Sequence, residues 1–176
     1  MNLSLAGVPP LYDRPPLADG LRSALARNHA NAHSRLRDFR RSWCAHDVGS
    51  AHQLFLRFRR EMVSHLVWEE SALLEPFRGR LPELRQVHAI SEEIVAHRAL
   101  RRLLTSVALT LCDRRRADIV RDTGIQLALE ELQREMELHG SHIQDDLCFA
   151  LATVLAEPTR DELASALTAR ELRIRR

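Results

Sequence analysis

Histidine and carboxylate residues recur four apart inside helical stripes that are otherwise apolar, and this constrains the chain more than any other feature. The segment SHLVWEESALLEP, Ser64 to Pro76, poses the problem. At about 100° per residue, His65 and Glu69 lie about 40° apart on a helix, and Leu54, Phe55, Phe58, Met62, Ala72 and Leu73 fall within about 80° of them. Arg59, Arg60 and Glu70 take the other side, where water is expected. A solvent-facing pair at this spacing contributes only about 0.2–0.5 kcal/mol. An inward carboxylate, by contrast, loses several kcal/mol of hydration unless a positive charge meets it. The sequence therefore predicts a compensating cation inside the fold.

Six glycines, sparse aromatics and long stretches of arginine, leucine, alanine and glutamate predict an all-α protein. With 176 residues and 45% hydrophobic content, the chain can bury one real core. Proline gathers in VPPLYDRPP, so residues 1–16 read as an extended arm. Helix A is expected from Leu17 to His46, ending at DVGS, and helix B from Ser50 to Phe77, followed by the turn RGRLP. Helix C should run from Glu83 to Cys112. Helix D should run from the capping box Thr123-Gly-Ile-Gln126 to Glu157-Pro158. A short fifth helix within 157–176 is announced by a second box, Thr159-Arg-Asp-Glu162. Four long helices with short connections over 17–156 predict an antiparallel up-down four-helix bundle.

Composition narrows the function. The formal charge is +2, and all 26 basic residues are arginines scattered among 24 acids, which argues against a nucleic-acid surface. The run Arg114-Arg115-Arg116 reads as a solvated loop. No apolar run approaches the roughly 18–20 residues of a membrane span. The stretch MNLSLAGVPPLYDRPP has neither a basic start nor a signal-peptide core, so a cytoplasmic location is expected. Cys44, Cys112 and Cys148, odd in number and widely spaced inside helical patterns, are expected to be reduced core thiols.

The His/acid spacing of helix B recurs. Helix D carries His142 and Asp146 in GSHIQDDL, with its inward phase set by Leu138, Phe149 and Leu127. Helix C carries Glu93 and His97 in EEIVAHRAL, and helix A carries His29 and His33 in NHANAHSRL. The chain thus reads as two weak repeats, each a helix with a histidine followed by a helix with His-x-x-x-acid. Depth is a stricter test, because antiparallel helices bring residues level only at equal distance from the connecting turn. His33 and His65 lie about 15 and 17 residues from a turn near position 48, and His65 and His97 about 15 and 17 from one near position 80. His97 and His142 lie about 16 and 18 residues from the ends of the C/D connection. All four helices can therefore bring histidine to one layer.

Nitrogen and carboxylate donors at one level suit a pair of iron or manganese ions. In this reading His65 and His142 are terminal ligands and Glu69 and Asp146 bridge. His97 with His29, His33 or both completes the set, and Glu93 is either a ligand or a partner behind one. The apolar stripe Leu25, Ala32, Leu36, Phe39 and Trp43 is closer in phase to His29, whereas the match to His97-Arg-Ala-Leu favours His33, so both stand. His46, His52 and His88 fall on the surface. His139, about 60° from His142 and one turn away, stays outside the expected ligand set, with a role as ligand or outer-shell donor the lesser alternative.

These motifs resemble the hemerythrin-like family, the HHE cation-binding domain, over about residues 20 to 156. SHLVWEE is similar to the family's second-helix segment, EIVAHRALRRLL to its third and LHGSHIQDDL to its fourth. The resemblance implies a four-helix bundle and a non-heme di-iron centre bridged by an oxo or hydroxo group and by two carboxylates, matching Glu69 and Asp146. It departs from the family in the Asp146 spacing and in offering Glu93 where some oxygen carriers have a second histidine; more carboxylate and less imidazole favours ferric iron. The expected function is binding or sensing of dioxygen, another diatomic ligand or iron without turnover, with no nucleic-acid or membrane partner. Trp68, Leu66, Ile94 and Phe149 are expected to wall the pocket. The alternatives are an enzyme handling peroxide or nitric oxide or repairing iron-sulfur centres, and a metal-free helical interaction module.

Overall fold

A computed structural model describes residues 19–78, 84–113, 123–143 and 147–174. Helix α1 spans Asp19–Cys44 and α2 spans Val48–Glu69; a π-helical segment, Glu70–Leu74, leads directly into α3, Glu75–Arg78. Then follow α4 (Leu84–Asp113), α5 (Thr123–His142), α6 (Cys148–Val154) and α7 (Glu157–Ile174). The described residues contain no strand, as the composition predicts. The expected arm at 1–16 and the arginine run at 114–116 lie outside them. No helix among them is long and apolar enough to cross a membrane.

The α1/α2 junction is built by backbone geometry. His46 adopts φ 62°, its N–H donates to Trp43 O at 3.0 Å, and the next N–H, of Asp47, reaches Ser42 O at 3.1 Å. This pair of bonds with a left-handed residue between is the Schellman termination. Asp47 then caps α2 by accepting from the Ser50 N–H at 3.1 Å. The break therefore falls earlier than DVGS suggested, and Gly49 and Ser50 already belong to α2. At the other end, α7 begins at Glu157 rather than at the box Thr159–Glu162. Pro158 sits in its first turn, where a missing N–H costs nothing.

Helix α1 packs along α2, α5 and α7, while α4 packs along α5 and α2, so α1, α2, α4 and α5 touch in cyclic order. Their apolar faces form two buried clusters. One contains Leu36, Phe39, Trp43, Phe55, Phe58, Met62, Leu66, Leu100 and Met136; Phe39 and Phe55 pack with ring centroids 5.1 Å apart. The other contains Leu25, Leu73, Leu74, Ile90, Ile94, Ile143 and Leu167. Along α1, α2, α4 and α5 the buried polar residues other than Glu61 fall between the two: His29 between Leu25 and Leu36, His65 and Glu69 between Met62 and Leu73, Glu93 and His97 between Ile90 and Leu100, and His139 between Met136 and Ile143. The core is thus interrupted by one polar layer. Cys44 and Cys112 are exposed and Cys148 is buried, which corrects the expectation of three core thiols. Cys44 ends α1 and Cys112 lies one residue from the end of α4, beyond the packed stripes.

Candidate metal centre

The layer follows from helical phase. In α5 the buried residues Ile125, Leu129, Leu132, Met136 and His139 step by four, three, four and three, so the helix that buries its apolar stripe must also bury His139. In α2 the buried set Phe55, Phe58, Met62, His65, Leu66 and Glu69 does the same for His65 and Glu69. Glu61, one turn before His65, is also buried, but Arg35 and Arg57 pair with it, so its charge is met within the chain.

Glu69 is the hub, and it is fully buried. Its Oε1 lies 3.3 Å from His29 Nε2 and 3.0 Å from His65 Nε2, while its Oε2 lies 3.4 Å from His97 Nε2 and 3.2 Å from His139 Nε2. The His29 and His65 Nε2 atoms face each other at 2.9 Å. Glu93 Oε1 lies 3.4 Å from His97 Nε2 and contacts His139 Nδ1. Two groups of potential ligands result, His29, His65, Glu69 and His139 on one side and Glu93, His97 and His139 on the other, the ligand atoms within each lying within 4.8 Å of one another.

Electrostatics bind the layer together. Burial pushes the Glu69 carboxyl up, but the imidazoles of His65, His139 and His29 outweigh it and hold the group well below the usual carboxylate range. Glu93 is likewise lowered, with burial overcome by His139 and His97. Burial disfavours a charge on His139, yet Glu69 and Glu93 raise it to about 10. His97 is raised against its burial by the same two carboxylates. His65 goes the other way: burial drives it down to about 4 although Glu69 opposes.

Side chains alone do not satisfy this layer. Both Glu69 oxygens and the Nε2 atoms of His97 and His139 are buried at ion-pair distances without a well-directed hydrogen bond. Polar atoms buried with such imperfect pairing keep part of their desolvation cost. Cations between the oxygens and the ring nitrogens would meet all four atoms at once, and mixed imidazole and carboxylate donors suit divalent transition metals. The buried His/Glu groups could therefore hold metal.

The structure brings together His29, His65, Glu69, Glu93 and His97 of the expected set. His33 is half-buried and belongs to neither group; burial, and then His29, lower its pKa. His142 is exposed, its Nδ1 3.9 Å from Glu93 Oε2. His139 stands in the layer where His142 was expected. Asp146, the expected second bridge, lies outside the described residues, and so does the side chain of Phe149. Of the residues expected to set the inward phase of helix D, Leu127 and Leu138 are 65% and 44% exposed; the Ile125-to-Met136 stripe carries the buried phase instead. Glu70, assigned to the water side, instead contacts His97. His88 is exposed beside Glu92, as expected.

The fold and site together define an all-helical protein with a buried His/carboxylate layer suited to metal. No protein-family model, curated protein or solved structure matches the chain.

Proposed function

We propose that the chain is a non-heme di-iron protein of hemerythrin type, with α1, α2, α4 and α5 forming a four-helix bundle around the metals. The observation that carries this reading is the fully buried Glu69, whose two oxygens each face two imidazole nitrogens from different helices. One ion would be held by His29, His65 and Glu69, and the other by His97, His139, Glu93 and the second oxygen of Glu69. Ferrous ions there would supply electrons and an open position for dioxygen or another diatomic ligand. Leu25, Leu66, Leu73, Ile94 and Leu100, all buried, would exclude water on both sides of the layer. This is the environment of a protein that binds or senses oxygen or iron rather than turning over a larger substrate.

The test is anaerobic loading with ferrous iron, removal of excess and elemental analysis, followed by admission of oxygen. The expected result is iron near two per chain (one ion on each side of the Glu69 carboxylate) and an absorption change that reverses when oxygen is withdrawn. Failure to retain iron would overturn the reading, and rapid consumption of added peroxide would replace it with the enzymatic one.

A further inference from the structure

Glu69 and Glu70 are consecutive, yet they address opposite sides of one imidazole. Glu69 Oε2 lies 3.4 Å from His97 Nε2, and Glu70 Oε1 lies 3.1 Å from His97 Nδ1. An ionised carboxylate only accepts hydrogen bonds, so the Nδ1–H of His97 donates to Glu70. With the proton held on Nδ1, Nε2, which faces Glu69 and Glu93, is the nitrogen that would give its lone pair to a metal. The His97 ring is 0% exposed, which leaves water no access to take over that hydrogen bond.

Glu70 is itself held. Its side chain is 24% exposed, and Oε2 lies 2.8 Å from Arg101 Nη2. Arg101 stands one helical turn beyond His97 on α4, so the Glu70 carboxylate, at the start of the π-helical segment, joins the imidazole and the guanidinium of α4. Such segments occur often at functional sites, where they alter the direction of successive side chains. Here the change begins at Glu70.

We propose that Glu70, gripped by Arg101, is a positioning residue for His97, fixing the ring tautomer and aiming Nε2 at the metal ion beside Glu93. The inference rests on the metal reading above. A carboxylate behind the ring also makes the imidazole a stronger donor, so the ion on the His97 side is held more tightly than its inner ligands alone would hold it.

Zinc(II), a diamagnetic probe, tests this on the full chain. Wild type, Glu70→Ala and Glu70→Gln are compared for zinc affinity by competition with a chelator, for the ring ¹⁵N shifts of His97, and for melting of the metal-free chain. The expected result is a loss of about 10–100-fold in affinity for one of two zinc ions in Glu70→Ala. Glu70→Gln should recover most of it, since its amide oxygen accepts the same hydrogen bond. His97 should be protonated at Nδ1 in the wild type and the glutamine variant and lose that single tautomer in the alanine variant. Wild-type zinc affinity and an unchanged His97 tautomer in Glu70→Ala would overturn the proposal. So would equal losses in both variants accompanied by lower metal-free melting, which mark a purely structural role. A wild type that binds neither zinc nor iron would overturn the metal reading and this proposal together, an outcome distinct from a metal-binding wild type with unaffected variants.

Discussion

Replacing Glu69 by glutamine keeps the shape of the side chain and removes the charge that four imidazole nitrogens face at 3.0–3.4 Å. Because one carboxylate serves both groups, its loss should weaken both ions, whereas loss of His29 or His97 should strike one first. Metal stabilises the folded chain by linkage: at a free concentration 100 times Kd the gain is about 2.7 kcal/mol per ion, or about 5.4 kcal/mol for two. For a domain of this size each kcal/mol moves Tm by about 2–4 °C, so wild type should melt about 11–22 °C higher with metal than without. If the substitution raises both Kd values about 100-fold, the same concentration yields only about 0.8 kcal/mol, or about 2–3 °C. The assay is anaerobic calorimetry of each protein with and without ferrous iron. Taking the increment within each variant cancels any change in metal-free stability. A Glu69→Gln chain that keeps the full wild-type increment would refute the role of Glu69 as the shared ligand.

His29→Ala and His139→Ala should each reduce bound iron, while His33→Ala, His142→Ala and His88→Ala should leave it near two per chain; elemental analysis of the five variants checks the placement. Because Glu69 and Glu93 hold His139 at about 10 despite its burial, metal loading at pH 7 should release about one proton or more per chain, visible with an indicator dye in weak buffer. The same raised pKa sets a sign: the contribution of His139 to metal-free stability is full below its ordinary 6.5 and is lost as pH rises toward about 10, so metal-free Tm should fall across that window. His46→Gly should stabilise the chain by about 1 kcal/mol in denaturant titration, since φ 62° strains a side chain that glycine lacks. Phe55→Ala, which empties a fully buried site, should cost about 3–5 kcal/mol without changing which residues face Glu69.

The legible parts of the site were those fixed by helical phase. His65 and Glu69 lie in a stripe with Phe55, Phe58 and Met62, and no helix could bury those three while exposing the pair. Depth does not decide between residues one turn apart, and the match to His97-Arg-Ala-Leu points to His33, so the sequence leaves both His29 and His33 open for α1. The stripe through Leu25, Leu36, Phe39 and Trp43 favoured the one that the structure buries. In α5, Leu127 and Leu138 face solvent and mislead as phase markers, whereas the three-four spacing of Ile125, Leu129, Leu132 and Met136 points to His139. Glu70 was beyond such reasoning, because a uniform 100° per residue turns it toward water. The π-helical segment that starts there breaks this uniformity, and nothing in ESALL announces it. The end of α1 was misplaced for a similar reason: a histidine, not the nearby glycine, takes the left-handed conformation.

The most direct measurement is anomalous X-ray diffraction at the iron edge from crystals grown with ferrous iron under nitrogen. The account predicts two anomalous peaks flanking the Glu69 carboxylate, one beside His29 and His65 and the other beside His97, His139 and Glu93. Crystals with an empty layer, or with iron only at surface histidines such as His88, would contradict it.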